Sequence, residues 1–304
     1  MSPLVTTAVA FVDLDRTELE AAMGRRPLAL RHDLGDHPLL SRAALVQVAS
    51  QHPAHLVEHH RGDLPLVLPT GEASSLALTP QEVVEGIETN GCWMVLWGMD
   101  AIDPYGMLAS EWMAPVRTAC PAREGAPGAI ESLALLASPG AVVPAHVDHI
   151  HNVLFQLEGT KQVFTGAFRD PSEAQRQVER RYGPARLNLD RLPDVVTEHR
   201  LGPGDALYIP PFTPHWVVGG LDVSVALSCS FTTVASRRSQ DVHACNARLR
   251  RIGVDPSPPG TSRARDLAKV QASRAWWRSR RAAASTYRHL SSQAPSRGPR
   301  DPRR

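Results

Sequence analysis

A chain of 304 residues, 42% hydrophobic and 21% charged, holds enough apolar material for one medium domain with extensions or two small ones, which excludes a wholly unfolded polymer. Residues 1–20 lack a basic n-region and show only a short apolar run before Asp13. They read as neither signal peptide nor membrane span, and the expected location is the cytoplasm. The formal charge of +2 conceals an asymmetry: residues 237–304 hold 17 Lys+Arg against 4 Asp+Glu, and the remainder 16 against 27.

That split describes an acidic body with a basic extension, which suits nucleic acid, an acidic protein or the chain's own body as a partner. Four widely spaced cysteines, Cys92, Cys120, Cys229 and Cys245, include no C-x-x-C pair. Both a disulfide framework and a structural zinc site are disfavoured.

In chain order, residues 17–23 and 38–51 are predicted helical. Thr79, Pro80 and Glu82 form a capping-box start for a helix ending near Gly91. Residues 92–99 form an apolar run of strand length. Tyr105, Leu108, Trp112 and Val116 are spaced as on one amphipathic helix over 103–119. The first 128 residues are therefore expected to be a mixed α/β region packing on a core formed by later residues.

Residues 129–233 change to short β-like runs broken by Pro and Gly, the texture of a sandwich or barrel. Glu158-Gly159-Thr160 and Gly202-Pro203-Gly204-Asp205 are expected turns, and charged residues 169–198 an excursion on the surface. Residues 234–290 become helical and basic again, interrupted by a linker at 255–262, and 291–304 carry almost no apolar side chains and are expected to be disordered.

His146 and Asp148 are two residues apart, so on an extended backbone both leave one face, with Val147 directed oppositely. His215 comes 69 residues later, where a later strand of the same β structure would bring it alongside. Two imidazoles and one carboxylate on one side of a metal make the facial triad of non-haem Fe(II) oxygenases, leaving positions for a 2-oxo acid and O₂. H-x-D alone also occurs by chance, and a mutual hydrogen bond is the plain alternative.

Residues 146–164, HVDHIHNVLFQLEGTKQVF, together with 202–217, GPGDALYIPPFTPHWV, resemble the JmjC/cupin oxygenases that depend on Fe(II) and 2-oxoglutarate. The likeness spans about 130–232. It implies an α+β fold with a double-stranded β-helix (jelly-roll) core, an N-terminal mixed α/β region and C-terminal helices. It implies Fe(II) on His146, Asp148 and His215, with 2-oxoglutarate as cosubstrate. By the same resemblance Lys161 pairs with the C5 carboxylate, whereas the residue alone also suits an exposed hairpin lysine. Asn152 resembles the family's polar residue beside the cosubstrate, or serves its own strand.

Two departures stand out. Val143 replaces a threonine three residues before the first metal histidine, so Tyr208 or Ser138 is the expected hydroxyl donor. On the last strand only Ser228 and Ser230 offer polar groups for the C1 carboxylate. His149 and His151 are expected on the opposite face from His146, and Trp93, Trp97, Trp112 and Trp216 as packing residues.

The function implied is hydroxylation of a peptide or protein side chain or of an amino-acid-like small molecule. The alternatives are N-methyl-lysine demethylation, and a non-catalytic cupin-like binding or regulatory protein. Trp276 and Trp277 among arginines suit either docking on the body, a homodimer, or contact with nucleic acid.

Overall fold

Glu131–Ala137 alternates buried and half-buried or exposed residues, as a strand packed more tightly on one face does. Ser224–Phe231 is buried at every position, as a central strand covered on both faces must be. The computed structural model describes residues 10–68, 76–183 and 188–292, with side chains up to residue 280. It divides into two compact units, Met1–Gln240 and Asp241–Arg304.

The first unit holds eleven strands among its described residues: β1 (Leu28–Arg31), β2 (Val57–Arg61), β3 (Cys92–Leu96), β4 (Glu131–Ala137), β5 (Val142–Val147), β6 (His151–Glu158), β7 (Lys161–Ala167), β8 (Val195–Leu201), β9 (Asp205–Ile209), β10 (Pro214–Gly219) and β11 (Ser224–Phe231). They form an antiparallel seven-stranded sheet in the order β1-β9-β6-β11-β4-β3-β2 and a four-stranded sheet in the order β5-β10-β7-β8. The two sheets make the double-stranded β-helix of an α+β fold. Helices α1 (Arg16–Ala22), α2 (Arg42–Gln51), α3 (Pro80–Glu85), α4 (Tyr105–Trp112), α5 (Ala114–Thr118) and α6 (Pro171–Arg180) complete the unit, and α7 (Val234–Arg251) leads into the second.

Three apolar clusters follow the alternation of faces. Leu154, Val163, Leu201, Leu207, Ile209 and Ala226 fill the space between the sheets. The outer face of the large sheet, through Val153, Phe155, Tyr208, Leu227 and Phe231, packs against Leu19, Met23, Leu34 and Met113 of the N-terminal region. Ala145, Val147 and Trp216, on the outer face of the small sheet, are covered by Val178 and Leu189. Burial of each large apolar side chain in such layers contributes about 1.5–3 kcal/mol.

Several sequence expectations shift for local reasons. Residues 38–51 split into a 3-10 turn at Pro38–Leu40 and α2, because the Ser41 side chain caps the Ala44 amide. The capping box at Thr79 is present, yet α3 stops at Gly86, with Asn90 donating to the Glu82 carbonyl. The expected helix over 103–119 is two, joined at Met113 ahead of Pro115. The excursion at 169–198 contains α6, with Val178 buried, and the first residues of β8. Gly159 sits at φ 67° in the predicted hairpin turn, where a Cβ would meet the Val223 carbonyl oxygen at 2.1 Å. Trp112 is buried, whereas Trp97 is 41% exposed and so serves no core.

In the second unit, α8 (Arg263–Ser292) carries Trp276 with the Arg248 guanidinium 3.7 Å above its ring and Trp277 edge-on at 4.8 Å. The expected disorder of the final residues falls, for 293–304, outside the described residues. Among the described residues, no helix is long and apolar enough to cross a membrane.

Candidate metal and cosubstrate site

The pairing of β5 with β10 sets His146 directly opposite His215. Their rings lie 4.1 Å apart between centroids. The Nδ1–H of His146 donates to the Pro144 carbonyl (2.8 Å), and that of His215 to the Thr213 carbonyl (2.9 Å). A carbonyl only accepts, so each imidazole carries a proton on Nδ1 and turns Nε2 to the shared space. Asp148, just past β5, brings Oδ2 to 3.8 Å from His146 Nε2 and 3.7 Å from His215 Nε2. Donor atoms of the three residues all lie within 4.8 Å of one another, the one such cluster among the described residues. This donor set fits a divalent metal held on one side: two imidazole Nε2 atoms, their rings fixed through Nδ1, and one carboxylate.

Electrostatics favour an ionised Asp148 and an uncharged His215. Burial raises the Asp148 carboxyl, but His146, His215 and Arg181 outweigh it and hold the group below the usual carboxylate range. Burial, with His146 beside it, keeps His215 neutral. Arg181, one residue past α6, stands 3.7 Å from Asp148 Oδ1 and donates to the Val147 carbonyl. Nothing local in the sequence marks Arg181 for this position, because it lies in the charged stretch read as a surface excursion. Burial and Arg181 push the neighbouring His149 down to about 4, and His149 is not a member of the donor cluster.

Lys161 opens β7 on the face that also carries Val163 and Thr165, which points between the sheets. Thr165 pairs with His215, and Lys161 with Gly219 four residues along β10. At about 3.3 Å per residue the offset is roughly 13 Å, which a lysine stem and a five-carbon dicarboxylate span together. Lys161 is only 6% exposed, has no carboxylate partner among the described residues, and burial lowers it to about 8. Asn152 and Ser228 face each other from β6 and β11, the hydroxyl donating to the amide oxygen at 2.7 Å. Ser230 shares that face, but its hydroxyl donates to the Glu131 carbonyl.

Tyr208 is a correction. Residues alternate along β9, so while Leu207 and Ile209 face between the sheets, Tyr208 faces the N-terminal core. Its hydroxyl accepts from the Gly24 amide and bonds His151 Nδ1, each at 2.8 Å. His151 lies on this outer face, stacked on Phe231, with Nε2 3.5 Å from Glu124. Ser138 is likewise remote, bonded to the Ile87 carbonyl and the Cys92 amide at the β3 junction. The hydroxyl on the face of β7 shared with Lys161 is instead Thr165, bonded to His199 Nε2 at 3.0 Å, and sequence reasoning passed over both.

Residues 128–238 match the JmjC domain family. Over these residues the chain is similar to the JmjC domain, and they lie in the two-sheet fold described above. A segment of 104 residues is 34% identical to Jumonji C domain-containing protein 5 of Drosophila melanogaster, covering 31% of this chain and 26% of that protein. The match thus spans about a quarter of that relative's length. Among solved structures, YcfD, a ribosomal oxygenase from Escherichia coli in complex with cobalt and 2-oxoglutarate, aligns at TM-score 0.50 and 18% identity over 88% of this chain and 68% of that one. Another YcfD structure aligns at TM-score 0.49 and 17% identity, covering 88% and 67%. The alignment at TM-score 0.50 speaks to the fold alone.

Proposed function

We propose that the protein is an Fe(II)- and 2-oxoglutarate-dependent oxygenase that hydroxylates a peptide or protein side chain, or an amino-acid-like small molecule. One observation carries the reading: two imidazole Nε2 atoms and a carboxylate converge in a space that also holds a buried lysine without a carboxylate partner among the described residues. The chain's supporting chemistry lies in 129–233, with 1–128 packed around it and 234–290 as a basic extension.

Bound iron would supply reductive activation of O₂ coupled to decarboxylation of the 2-oxo acid. His146 and His215 would each give Nε2 and Asp148 Oδ2, their orientations held by Pro144, Thr213 and Arg181. Lys161 would bind the distal carboxylate as a buried charge-assisted contact. Asn152, its oxygen engaged by Ser228, has an amide N–H left to donate to the proximal carboxylate, with Ser228 and Ser230 lining the same strand face. The apolar shell of Leu154, Val163, Leu207 and Ile209 would exclude water around them.

Purified protein with Fe(II), ascorbate and 2-oxoglutarate should form succinate, and a substrate mixture should gain one oxygen without formaldehyde. Formaldehyde release would favour demethylation. Persistent absence of succinate would favour a binding protein.

A further inference from the structure

One ladder row crosses the small sheet from metal ligands to surface: His146 pairs with His215, His215 with Thr165, and Thr165 with Thr197. Adjacent strands lie about 4.8 Å apart, so Thr165 and Thr197 are about one and two strand spacings from His215. These two threonines line a groove of about 410 Å³. Its other walls are Pro27, Phe168, Val178 and Phe212, with Arg25 and Arg26 at one side, and no carboxylate lines it. Arg26 is shared with Glu18 at 3.2 Å. Arg25 is exposed and has no ion pair among the described residues.

The groove is bordered by an open edge. β8 ends the four-stranded sheet, and among the described residues its ladder hydrogen bonds run only to β7. Val195 and Val196 on it are 47% and 45% exposed. An exposed strand edge with apolar side chains receives an extended chain by strand addition. Phe212 holds a left-handed backbone at φ 64°, fixed by its amide donating to the Asp148 carbonyl at 2.6 Å. The strained residue ties the groove wall directly to the metal carboxylate residue.

We propose that this groove receives an extended acidic peptide segment, pairing along β8, with a carboxylate side chain on Arg25 and an aliphatic side chain between Phe168 and Phe212. The inference rests on the oxygenase reading, whose substrate class it narrows. A strand added to β8 stands about three strand spacings, roughly 14 Å, from His215, so the groove anchors the segment beside the triad and a flanking part of the same polypeptide reaches the metal.

The test uses the full chain loaded with Co(II) and three fluorescein-labelled nonapeptides of alternating valine with glutamate, glutamine or lysine, read by anisotropy. The glutamate peptide should bind about tenfold tighter than the glutamine one, the size of one charge-assisted contact. Arg25→Ala should erase that difference, and Arg25→Glu should reverse it toward the lysine peptide. Equal binding of all three, or no binding up to millimolar concentration, overturns the proposal. So does displacement by N-acetylglutamate methylamide with the affinity of the whole peptide, which would mark a small-molecule site. Succinate formation by the unaltered protein reports on the oxygenase assignment separately, so either idea fails without the other.

Discussion

Arg181 and Asp148 stand 3.7 Å apart, guanidinium Nη1 to carboxylate Oδ1, leaving Oδ2 as the oxygen turned toward both histidines. The helix that brings Arg181 there crosses the outer face of the small sheet, so a surface excursion orients a metal ligand. Removing the guanidinium frees the carboxylate to rotate, and losses of partners to metal ligands run about 10–100-fold in affinity. Arg181→Ala should weaken Co(II) binding by at least about tenfold in calorimetric titration. Unchanged affinity would show that Asp148 is held by its backbone alone.

The donor set itself separates three neighbouring residues. His215→Ala and Asp148→Ala should each abolish stoichiometric Co(II) binding and Fe(II)-dependent succinate formation. His149→Ala should keep most of both, because its ring lies outside the cluster. A metal-free His149→Ala protein alongside a loaded His215→Ala protein would mean that the wrong imidazole has been assigned.

Lys161 makes a pH prediction with a definite sign. Burial lowers the folded-state ammonium from 10.5 to about 8, so between those values the unfolded chain binds the extra proton and stability rises with pH. Below pH 8 the penalty of the buried charge is fully present. Lys161→Met should stabilise the ligand-free protein by roughly 3 kcal/mol at pH 7. The rise between pH 8 and 10.5 should be absent from the variant, so the gap between the two proteins' unfolding free energies in urea should close across that window. 2-Oxoglutarate reverses the preference: its carboxylate favours the ammonium, so its affinity should fall above about pH 8, and Lys161→Met should weaken it about 100-fold. A variant that binds 2-oxoglutarate normally would remove Lys161 from the cosubstrate site.

Tyr208 offers the opposite pattern. Tyr208→Phe leaves the Gly24 amide and His151 Nδ1 without their partner, at a cost of about 1–3 kcal/mol in unfolding free energy. Affinity for 2-oxoglutarate should stay within twofold. A large loss of affinity with unchanged stability would return Tyr208 to the cavity.

The contrast between Lys161 and Tyr208 marks how far the sequence could be read. Spacing put His146 and Asp148 on one face, because a strand has period two, and the tight turns at Gly159 and Gly204 announced the hairpins. Tyr208 was misplaced by one step of that same period: Leu207 and Ile209 on either side of it face between the sheets, which turns Tyr208 to the N-terminal core. Arg181, Thr165 and His199 carried no local signal. Their roles depend on which strands become neighbours, and that is decided by the cores rather than by the segments themselves. β1 and β2 were invisible for a related reason, being strands of four and five residues added at the two edges of the larger sheet.

His146 and His215 meet only because β5 and β10 are aligned in one particular stagger. Sliding β10 by a single residue would turn His215 toward α6 and bring Trp216 indoors, disassembling the site without unfolding either strand. A divalent ion grips both strands at once, so it would act as a pin across the seam, favouring the working alignment over its slipped neighbours by mass action. Protein matured without metal and protein matured with it should therefore differ in uniformity, and not merely in whether an ion is bound.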